Sequence, residues 1–370
     1  MKFIPKNPWK DEKIHRILAF CEHGMTKELI SRFFNAFKRN NCEILLDPFV
    51  GSGTVVVEAK KRCIDCIGID SNPLCLLITK AKVMKPSISI EDFLEAYHTI
   101  NNSEPLIPSE RLSRYHTKRQ LLALGKIRAL IKEFNDEPLL LAVFVNTAEK
   151  FSKIRRSPAP VLKKQRKSNK DTIQIYEEFK TSLIEAYNDL NDYNTEKESD
   201  VHLILADSSF WLPKYFDGIL TSPPFANNID YIRHTQLGLL WAGMAKDSKD
   251  LGRLRNFQIP ACEAAVRRWK KKTEKEWILE YISKIKSKRK FDTVLAQYFY
   301  YMEKHIELVA ERLCWEAWYT IGDSIFSGAC IPTHEILKRL AEEKGLRAEF
   351  EQIGVRSKNR RLYLLRLKAR

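Results

Sequence analysis

Two short apolar runs in the first quarter of the chain enclose a glycine-containing turn. Residues 44–46 are Ile-Leu-Leu and residues 66–69 are Cys-Ile-Gly-Ile, and an acid, Asp47 or Asp70, directly follows each run. Such runs predict buried strands, and the composition of residues 55–61 favours a helix between them. Strand, glycine turn, helix, strand and acid follow the order of half of a doubly wound nucleotide-binding sheet. We therefore predict an α/β fold.

The remaining pattern alternates between helical and strand-like stretches. Helical spacing begins near Thr26 and fills most of residues 86–199, where no stretch has a convincing strand pattern. The other predicted helices lie at residues 74–83, 236–310 and 333–344. The other predicted strands lie at residues 202–207, 217–221, 318–323 and 363–367. The chain thus predicts one sheet interrupted by two helical insertions.

The charge of the chain indicates the class of its partner. Lys and Arg number 63 against 47 Asp and Glu, which gives a formal net charge of +16. Because phosphate neutralisation by Lys and Arg drives nucleic-acid affinity, this excess predicts a polyanionic partner. The stretch from Lys153 to Lys170 contains prolines, many cations and no acid, and residues 264–290 combine cations with tryptophans. Both stretches are candidate contacts to DNA phosphates.

Sequence features also indicate the compartment. No apolar run approaches the roughly 18 residues that span a bilayer, and the N-terminal stretch lacks the apolar core of a signal peptide. Cys63 and Cys66 form the only close cysteine pair, and no second pair has zinc spacing. We expect an intracellular, cytoplasmic protein with reduced, buried, structural cysteines and no metal site.

The glycine turn departs from the dinucleotide-binding pattern. It lacks a full G-x-G-x-x-G, and Asp47 stands at the end of the first strand instead. A carboxylate there repels a pyrophosphate but suits a cationic ligand. S-adenosyl-L-methionine, a nucleoside with a sulfonium and an amino group, is the better candidate. Asp70 is then placed to accept hydrogen bonds from both ribose hydroxyls.

Two motifs in this order resemble those of the amino DNA methyltransferases, which methylate exocyclic nitrogens of cytosine or adenine. DPFVGSGT, residues 47–54, is similar to their cofactor motif, and TSPPF, residues 221–225, is similar to their catalytic motif. The serine form of the second motif is typical of the N4-cytosine branch, whereas the adenine branch usually has Asp or Asn at that position. The resemblance covers about half of the chain.

The resemblance implies a Rossmann-like methyltransferase sheet with helical insertions and S-adenosylmethionine as cofactor. Together with the order of the predicted elements, it divides the chain into a cofactor half (1–85), a helical insertion with the basic loop (86–199), a catalytic half (200–235), a second basic insertion (236–312) and closing strands (313–370). Asp207, after a strand, is expected to accept from the adenine amino group of the cofactor. The expected cofactor-binding residues are Asp47, Pro48, Phe49, Gly51, Ser52, Gly53, Thr54, Asp70 and Asp207.

The second motif carries the expected catalysis. The hydroxyl of Ser222 and the carbonyl of Pro223 can accept hydrogen bonds from the target amine, which localises its lone pair for attack. Pro223 and Pro224 stiffen the loop and remove two N–H donors. Phe225 is expected to stack on a base flipped out of the duplex. No metal and no covalent enzyme intermediate is required.

Several alternatives share these features. The same fold could methylate adenine N6, because the serine of the catalytic motif does not by itself decide the target base. It could also methylate a base in RNA, because some RNA base methyltransferases share a DPF-type cofactor loop. A nucleic-acid-binding protein that has lost turnover is disfavoured, since both motifs are intact together. No nuclease motif is visible, so a restriction endonuclease partner is expected to be a separate chain of a prokaryotic-type system.

Overall fold

The computed structural model describes residues 9, 12, 14–16, 25–155, 161–162, 172–193, 199–287, 289–357 and 360–369. Its strands are β1 Ile44–Asp47, β2 Asp65–Asp70, β3 Ile154–Arg155, β4 Val161–Leu162, β5 Val201–Leu205, β6 Gly218–Thr221, β7 Glu316–Gly322, β8 Ser324–Phe326, β9 Ala329–Ile331, β10 Arg347–Ser357 and β11 Arg360–Lys368. Its helices are α1 Lys27–Arg39, α2 Thr54–Lys60, α3 Pro73–Val83, α4 Ile90–Tyr97, α5 Lys118–Glu133, α6 Pro138–Lys150, α7 Thr172–Tyr193, α8 Tyr231–Trp241, α9 Ser248–Asn256, α10 Glu276–Ser283, α11 Phe291–Arg312 and α12 Thr333–Glu343.

A seven-stranded sheet organises these elements in the order β10-β11-β7-β6-β1-β2-β5. Neighbouring strands from β7 to β5 pair in parallel, whereas β11 runs antiparallel to both of its neighbours. The chain builds outward from β1 through β2 to β5, then returns to the other side of β1 to form β6 and β7. This reversal confirms the predicted doubly wound α/β fold, and it places a crevice at the carboxyl ends of β1 and β6.

Apolar side chains cover both faces of the sheet. On one face, helices α1 to α8 form a single cluster that includes Phe33, Val56, Phe144 and Trp241, all fully buried. On the other face, α10, α11 and α12 pack with strand residues such as Leu46 and Ile219. Each large apolar side chain buried in this way contributes about 1.5–3 kcal/mol. The sheet is therefore held rigidly between two helical layers.

Local signals fix the starts of several helices. The Thr26 hydroxyl accepts from the Leu29 N–H at 3.2 Å and caps α1, which begins where the helical spacing was predicted to start. Asn72 caps α3, which begins at Pro73. Thr117 and Gln120 form a reciprocal capping box at the start of α5. These caps satisfy N–H groups that a helix leaves unpaired.

The strand predictions missed some pairings. Strand β10 was not predicted, because it contains charged residues such as Glu349 and Glu351. It is an edge strand of the sheet, and these polar side chains lie in solvent. The short hairpin β8–β9 was also missed. Residues 86–199, predicted without strands, contain the two-residue hairpin β3–β4 inside the basic stretch. The helical stretch at 236–310 divides into α8 to α11.

The cysteine prediction was partly wrong. Cys66 is buried in β2, but its neighbour Cys63 is exposed in the preceding turn with a positive φ of 56°. Cys314 and Cys330 are exposed as well. All cysteines in the described part of the chain are free thiols. Among these described residues, no helix is both long and apolar enough to cross a membrane.

Candidate active site at the carboxyl ends of the central strands

The predicted site residues meet at one edge of the sheet. Asp47 ends β1, Asp70 ends β2, and Ser222 directly follows β6. Asp207 lies two residues beyond β5. Because these four strands are parallel, their carboxyl ends face the same crevice. The fold thus brings together residues that lie far apart in the sequence.

Asp47 is a buried carboxyl group at the floor of the crevice. Its side chain is 2% exposed, and its Oδ1 accepts from the Thr221 hydroxyl at 2.7 Å and from the Phe49 N–H at 3.2 Å. Burial raises the pKa of Asp47 to about 7, despite these two hydrogen bonds. Such a group gains a strong interaction when a cation approaches it. The hydrogen bond from Thr221 also links the cofactor motif directly to the catalytic motif.

The glycine loop has a conformation that only glycine adopts easily. Gly51 and Gly53 have φ values of 56° and 82°. A Cβ atom at Gly53 would lie 2.5 Å from Thr79 Oγ1 of α3. The Gly51 N–H donates to Asp70 Oδ2 at 2.8 Å. The loop therefore lies tightly between α3 and the acid that ends β2, a cradle that suits close approach of a ligand.

A buried lysine of α3 donates a hydrogen bond to the glycine loop. Lys82 is 1% exposed, and its Nζ donates to the Ser52 carbonyl at 2.8 Å. The Ser52 hydroxyl in turn lies 3.4 Å from Thr54 Oγ1, at the first turn of α2. Pro48, earlier in the motif, is buried. No sequence signal marks Lys82, because residues 74–83 predict only an ordinary helix.

Backbone N–H groups hold the carboxylate of Asp70. Gly51 donates to its Oδ2 and Asn72 donates to its Oδ1, both at 2.8 Å. Burial raises the pKa of Asp70, and these N–H donors oppose that rise. The carboxylate therefore has a fixed orientation at the tip of β2, beside the glycine loop.

Asp207 makes hydrogen bonds to a neighbour in the sequence and lies near a lysine from a distant segment. Its Oδ1 accepts from the N–H and the hydroxyl of Ser209, at 2.9 and 2.5 Å, which is a turn-stabilising arrangement. Burial raises the pKa of Asp207, whereas the nearby Lys270 ammonium lowers it. The local bonds satisfy one oxygen and explain the Asp-Ser-Ser sequence. The lysine was not anticipated, because it lies in the second insertion.

The catalytic motif forms a stiff loop after β6. The Ser222 hydroxyl is half-buried and makes no hydrogen bond within the part of the chain that the structure describes. Pro223 is buried and Pro224 is half-buried. Phe225 is 8% exposed, because its ring packs on Leu362 and against Gly322. The Phe225 ring is thus held in place by contacts with β7 and β11.

A buried histidine connects several parts of the site and was missed in the sequence. His305 of α11 lies 3.1 Å from the Ser208 carbonyl through Nδ1 and 2.8 Å from the Tyr319 hydroxyl through Nε2. A carbonyl can only accept, so Nδ1 carries the proton and Nε2 accepts from Tyr319. Burial lowers the pKa of His305 to about 4, so the ring is neutral. The Phe49 ring lies 5.0 Å away, so His305 links the loops after β1 and β5.

Comparison with known proteins gives one family match and several relatives. The family model of the D12 class of N6 adenine-specific DNA methyltransferases matches residues 24–202. Type II methyltransferase M.BsoBI of Geobacillus stearothermophilus is 24% identical over 70% of this chain and 58% of its own length. M.MvaI of Kocuria varians is 25% identical over 73% of this chain and 65% of its own length. M.AvaI of Nostoc sp. is 23% identical over 89% of this chain and 78% of its own length.

The chain thus spans about three fifths of the length of the first two relatives. The matched residues 24–202 contain the whole glycine loop and the acid Asp70. The fold, with its crevice between β1 and β6, is that of a Rossmann-like methyltransferase. The chain is thus similar to the D12-class model over residues 24–202, and to Type II methyltransferases over a longer part of its length.

Proposed function

We propose that this protein is a DNA methyltransferase that transfers a methyl group from S-adenosylmethionine to N4 of a flipped-out cytosine. The observation that carries the proposal is the Ser222 hydroxyl, which lies at the end of β6 without a hydrogen-bond partner among the described residues. A hydroxyl left available beside a cationic-ligand site can accept a hydrogen bond from a substrate amine.

The residues at the crevice fit the cofactor. The buried carboxyl of Asp47 suits the sulfonium end, and the glycine cradle leaves no room for a side chain at Gly53. Asp70 and Asp207 suit the ribose and the adenine amino group. Pro48, Phe49, Ser52 and Thr54 complete the loop between them. When bound, the cofactor supplies an electrophilic methyl group on sulfur.

Ser222 and Pro223 then prepare the nucleophile. The lone pair of the cytosine amine is delocalised into the ring, so the free amine is a poor nucleophile. Hydrogen bonds accepted by the Ser222 hydroxyl and the Pro223 carbonyl favour a pyramidal nitrogen with a localised lone pair. Attack would join this nitrogen to the methyl carbon as the carbon–sulfur bond breaks and leaves its electron pair on sulfur, and the nitrogen would then release one proton to water. Phe225 stacks on the flipped base and limits its movement.

A second candidate function, methylation of adenine N6, is favoured by the description of the matching family model. That match ends at residue 202 and therefore excludes Ser222. The cofactor half does not choose the target base, whereas the catalytic loop meets it. We therefore give the serine of the catalytic motif more weight than the family description.

Product analysis distinguishes these functions. Purified protein is incubated with labelled S-adenosylmethionine and with DNA or RNA, and the nucleosides are separated by mass spectrometry. We expect N4-methylcytosine from DNA. N6-methyladenine as the main product would contradict the cytosine assignment and keep the fold, and a product only in RNA would contradict the DNA assignment.

Replacement of Asp70 tests the cofactor site. We expect Asp70→Ala to weaken S-adenosylmethionine binding at least tenfold, about 1.4 kcal/mol, because one oriented charge-assisted hydrogen bond is lost. Asp65→Ala is the matched control, since Asp65 is exposed at the opposite end of the same strand. Isothermal titration measures both. Equal affinities of the two variants and the wild type would remove Asp70 from the site.

The proposal also includes the DNA contacts and the companion enzyme. The two insertions, residues 86–199 and 236–312, are the proposed DNA-contacting parts. Most of the basic loop from Lys153 to Lys170 lies outside the described residues. The relatives are named Type II methyltransferases, and we propose that any restriction endonuclease acting with this protein is a separate chain.

A further inference from the structure

A strap of chain from residue 255 to residue 272 begins beside the segment that follows the catalytic loop. The Arg255 guanidinium pairs with Asp230 at 3.0 Å. The Asn228 N–H donates to the Ala261 carbonyl at 2.9 Å, and the Asn228 side chain accepts from the Glu263 N–H at 3.0 Å. One end of this strap is therefore fixed to residues that closely follow Phe225.

The other end of the strap is anchored on α11 near Asp207. The fully buried side chain of Gln297 donates to the carbonyls of Arg267 and Lys270, at 2.6 and 3.0 Å. Lys270 turns inward, since its Nζ donates to the Gln258 carbonyl at 2.6 Å and lies 5.2 Å from the ring of Tyr301. The strap thus connects the catalytic side of the crevice to the side where Asp207 lies.

The outer surface of the strap carries cations and an aromatic ring. Arg268, Lys271 and Lys272 are all exposed, and none of them has an ion-pair partner in the described ranges. Trp269 lies among them with 64% of its side chain exposed. An exposed aromatic ring among cations is the combination on which single-stranded nucleic-acid bases stack. The backbone that presents these four side chains is held by buried hydrogen bonds.

We propose that Arg268, Trp269, Lys271 and Lys272 form a DNA-docking surface beside the crevice. The three cations contact phosphates, and Trp269 stacks on a base that becomes accessible when the target nucleotide leaves the duplex. This proposal rests on the proposed function and adds which part of the second insertion meets DNA. Charge complementarity supports it, because three exposed cations lie within five consecutive residues.

A salt titration tests the phosphate contacts. The test variant combines Arg268→Gln, Lys271→Gln and Lys272→Gln. The control variant combines Lys38→Gln, Arg39→Gln and Lys85→Gln. It also removes three exposed cations, but these lie where α1 and α3 end, near the amino ends of the parallel strands and away from the crevice. Binding of a mixed-sequence duplex is measured by fluorescence anisotropy at several salt concentrations. We expect the first variant to flatten the log–log salt slope by about 2.7, and the control by less than one third of that.

A separate variant tests the stacking. We expect Trp269→Leu to weaken binding of a single-stranded oligonucleotide roughly 5- to 100-fold, with an unchanged salt slope, because a base stack is lost and no charge is removed. A wild-type affinity in this variant would contradict the stacking, and equal slopes of the two triple variants would contradict the phosphate contacts.

The same proteins are also titrated with S-adenosylmethionine. Cofactor binding by the triple variant at wild-type affinity shows that it is folded, so that its DNA result applies to the docking surface alone. If the wild-type protein does not bind S-adenosylmethionine, the proposed function itself is contradicted.

Discussion

Ser222→Ala is expected to lower kcat roughly 100-fold or more while the affinities for DNA and S-adenosylmethionine stay close to those of the wild type. The Ser222 hydroxyl acts on the amine during attack, so its loss raises the barrier without removing a large ground-state contact. Single-turnover kinetics with saturating cofactor measures the rate, and anisotropy measures DNA affinity. Ser31→Ala, an exposed serine of α1, is the remote control.

Two results would contradict this role for Ser222. A kcat within about threefold of the wild type would show that the hydroxyl takes no part in the transition state. A rate loss matched by an equal loss of DNA affinity would indicate damage to the loop. Phe225→Leu provides the comparison, because it changes the wall on which the base stacks and should weaken both rate and binding.

Cofactor affinity is expected to fall roughly 10- to 100-fold when the pH is lowered from 8 to 5. Burial raises the pKa of Asp47 to about 7, so this carboxyl is ionised at pH 8 and largely protonated at pH 5. Only the ionised form attracts a sulfonium. Isothermal titration at several pH values should show that the affinity begins to fall near pH 7 and decreases further as the pH drops towards 5. In Asp47→Asn that step should be absent and the affinity at pH 8 reduced.

Protein stability should change in the opposite direction. The folded state raises the pKa of Asp47 above the value in the unfolded chain, so the folded state binds this proton more tightly. The contribution of Asp47 to stability is therefore full at low pH and is lost as the pH rises towards 7. The free energy of unfolding of the wild type, relative to Asp47→Asn, should fall by about 2 kcal/mol between pH 5 and pH 7. A constant difference in urea denaturation would show that Asp47 has an ordinary pKa.

Elements with a strong local signal were predicted well from the sequence. The strands that end at Asp47 and Asp70 are short apolar runs bounded by a turn and an acid, and α1 has a threonine cap with regular apolar spacing. Strand β10 was missed because one side of an edge strand is solvated, so charged residues such as Glu349 stand where a central strand has apolar ones.

The positions of residues at the crevice were predictable where a motif carried them and not where only tertiary contacts do; the roles of these residues stay predictions. Asp47 and Ser222 belong to recognisable motifs, and the fold places both at one crevice. Three side chains near that crevice come from distant segments of the chain: His305, Lys82 and Lys270. Each donates to a backbone carbonyl, and no motif around these residues predicts which carbonyl it will be. Their contribution depends on distances between residues that are far apart in the chain.

The core that helices α4 to α7 share with the sheet limits how this protein can be re-engineered. Phe93 of α4, Phe144 of α6 and Phe179 of α7 are fully buried in the same cluster as Val56 of α2. Excision of residues 86–199, or exchange for the corresponding segment of a distant relative, would strip one face of the sheet and expose its apolar side chains. A change of specificity by transplantation should therefore exchange only surface loops and retain these helices, so that the chimera still expresses as a folded protein.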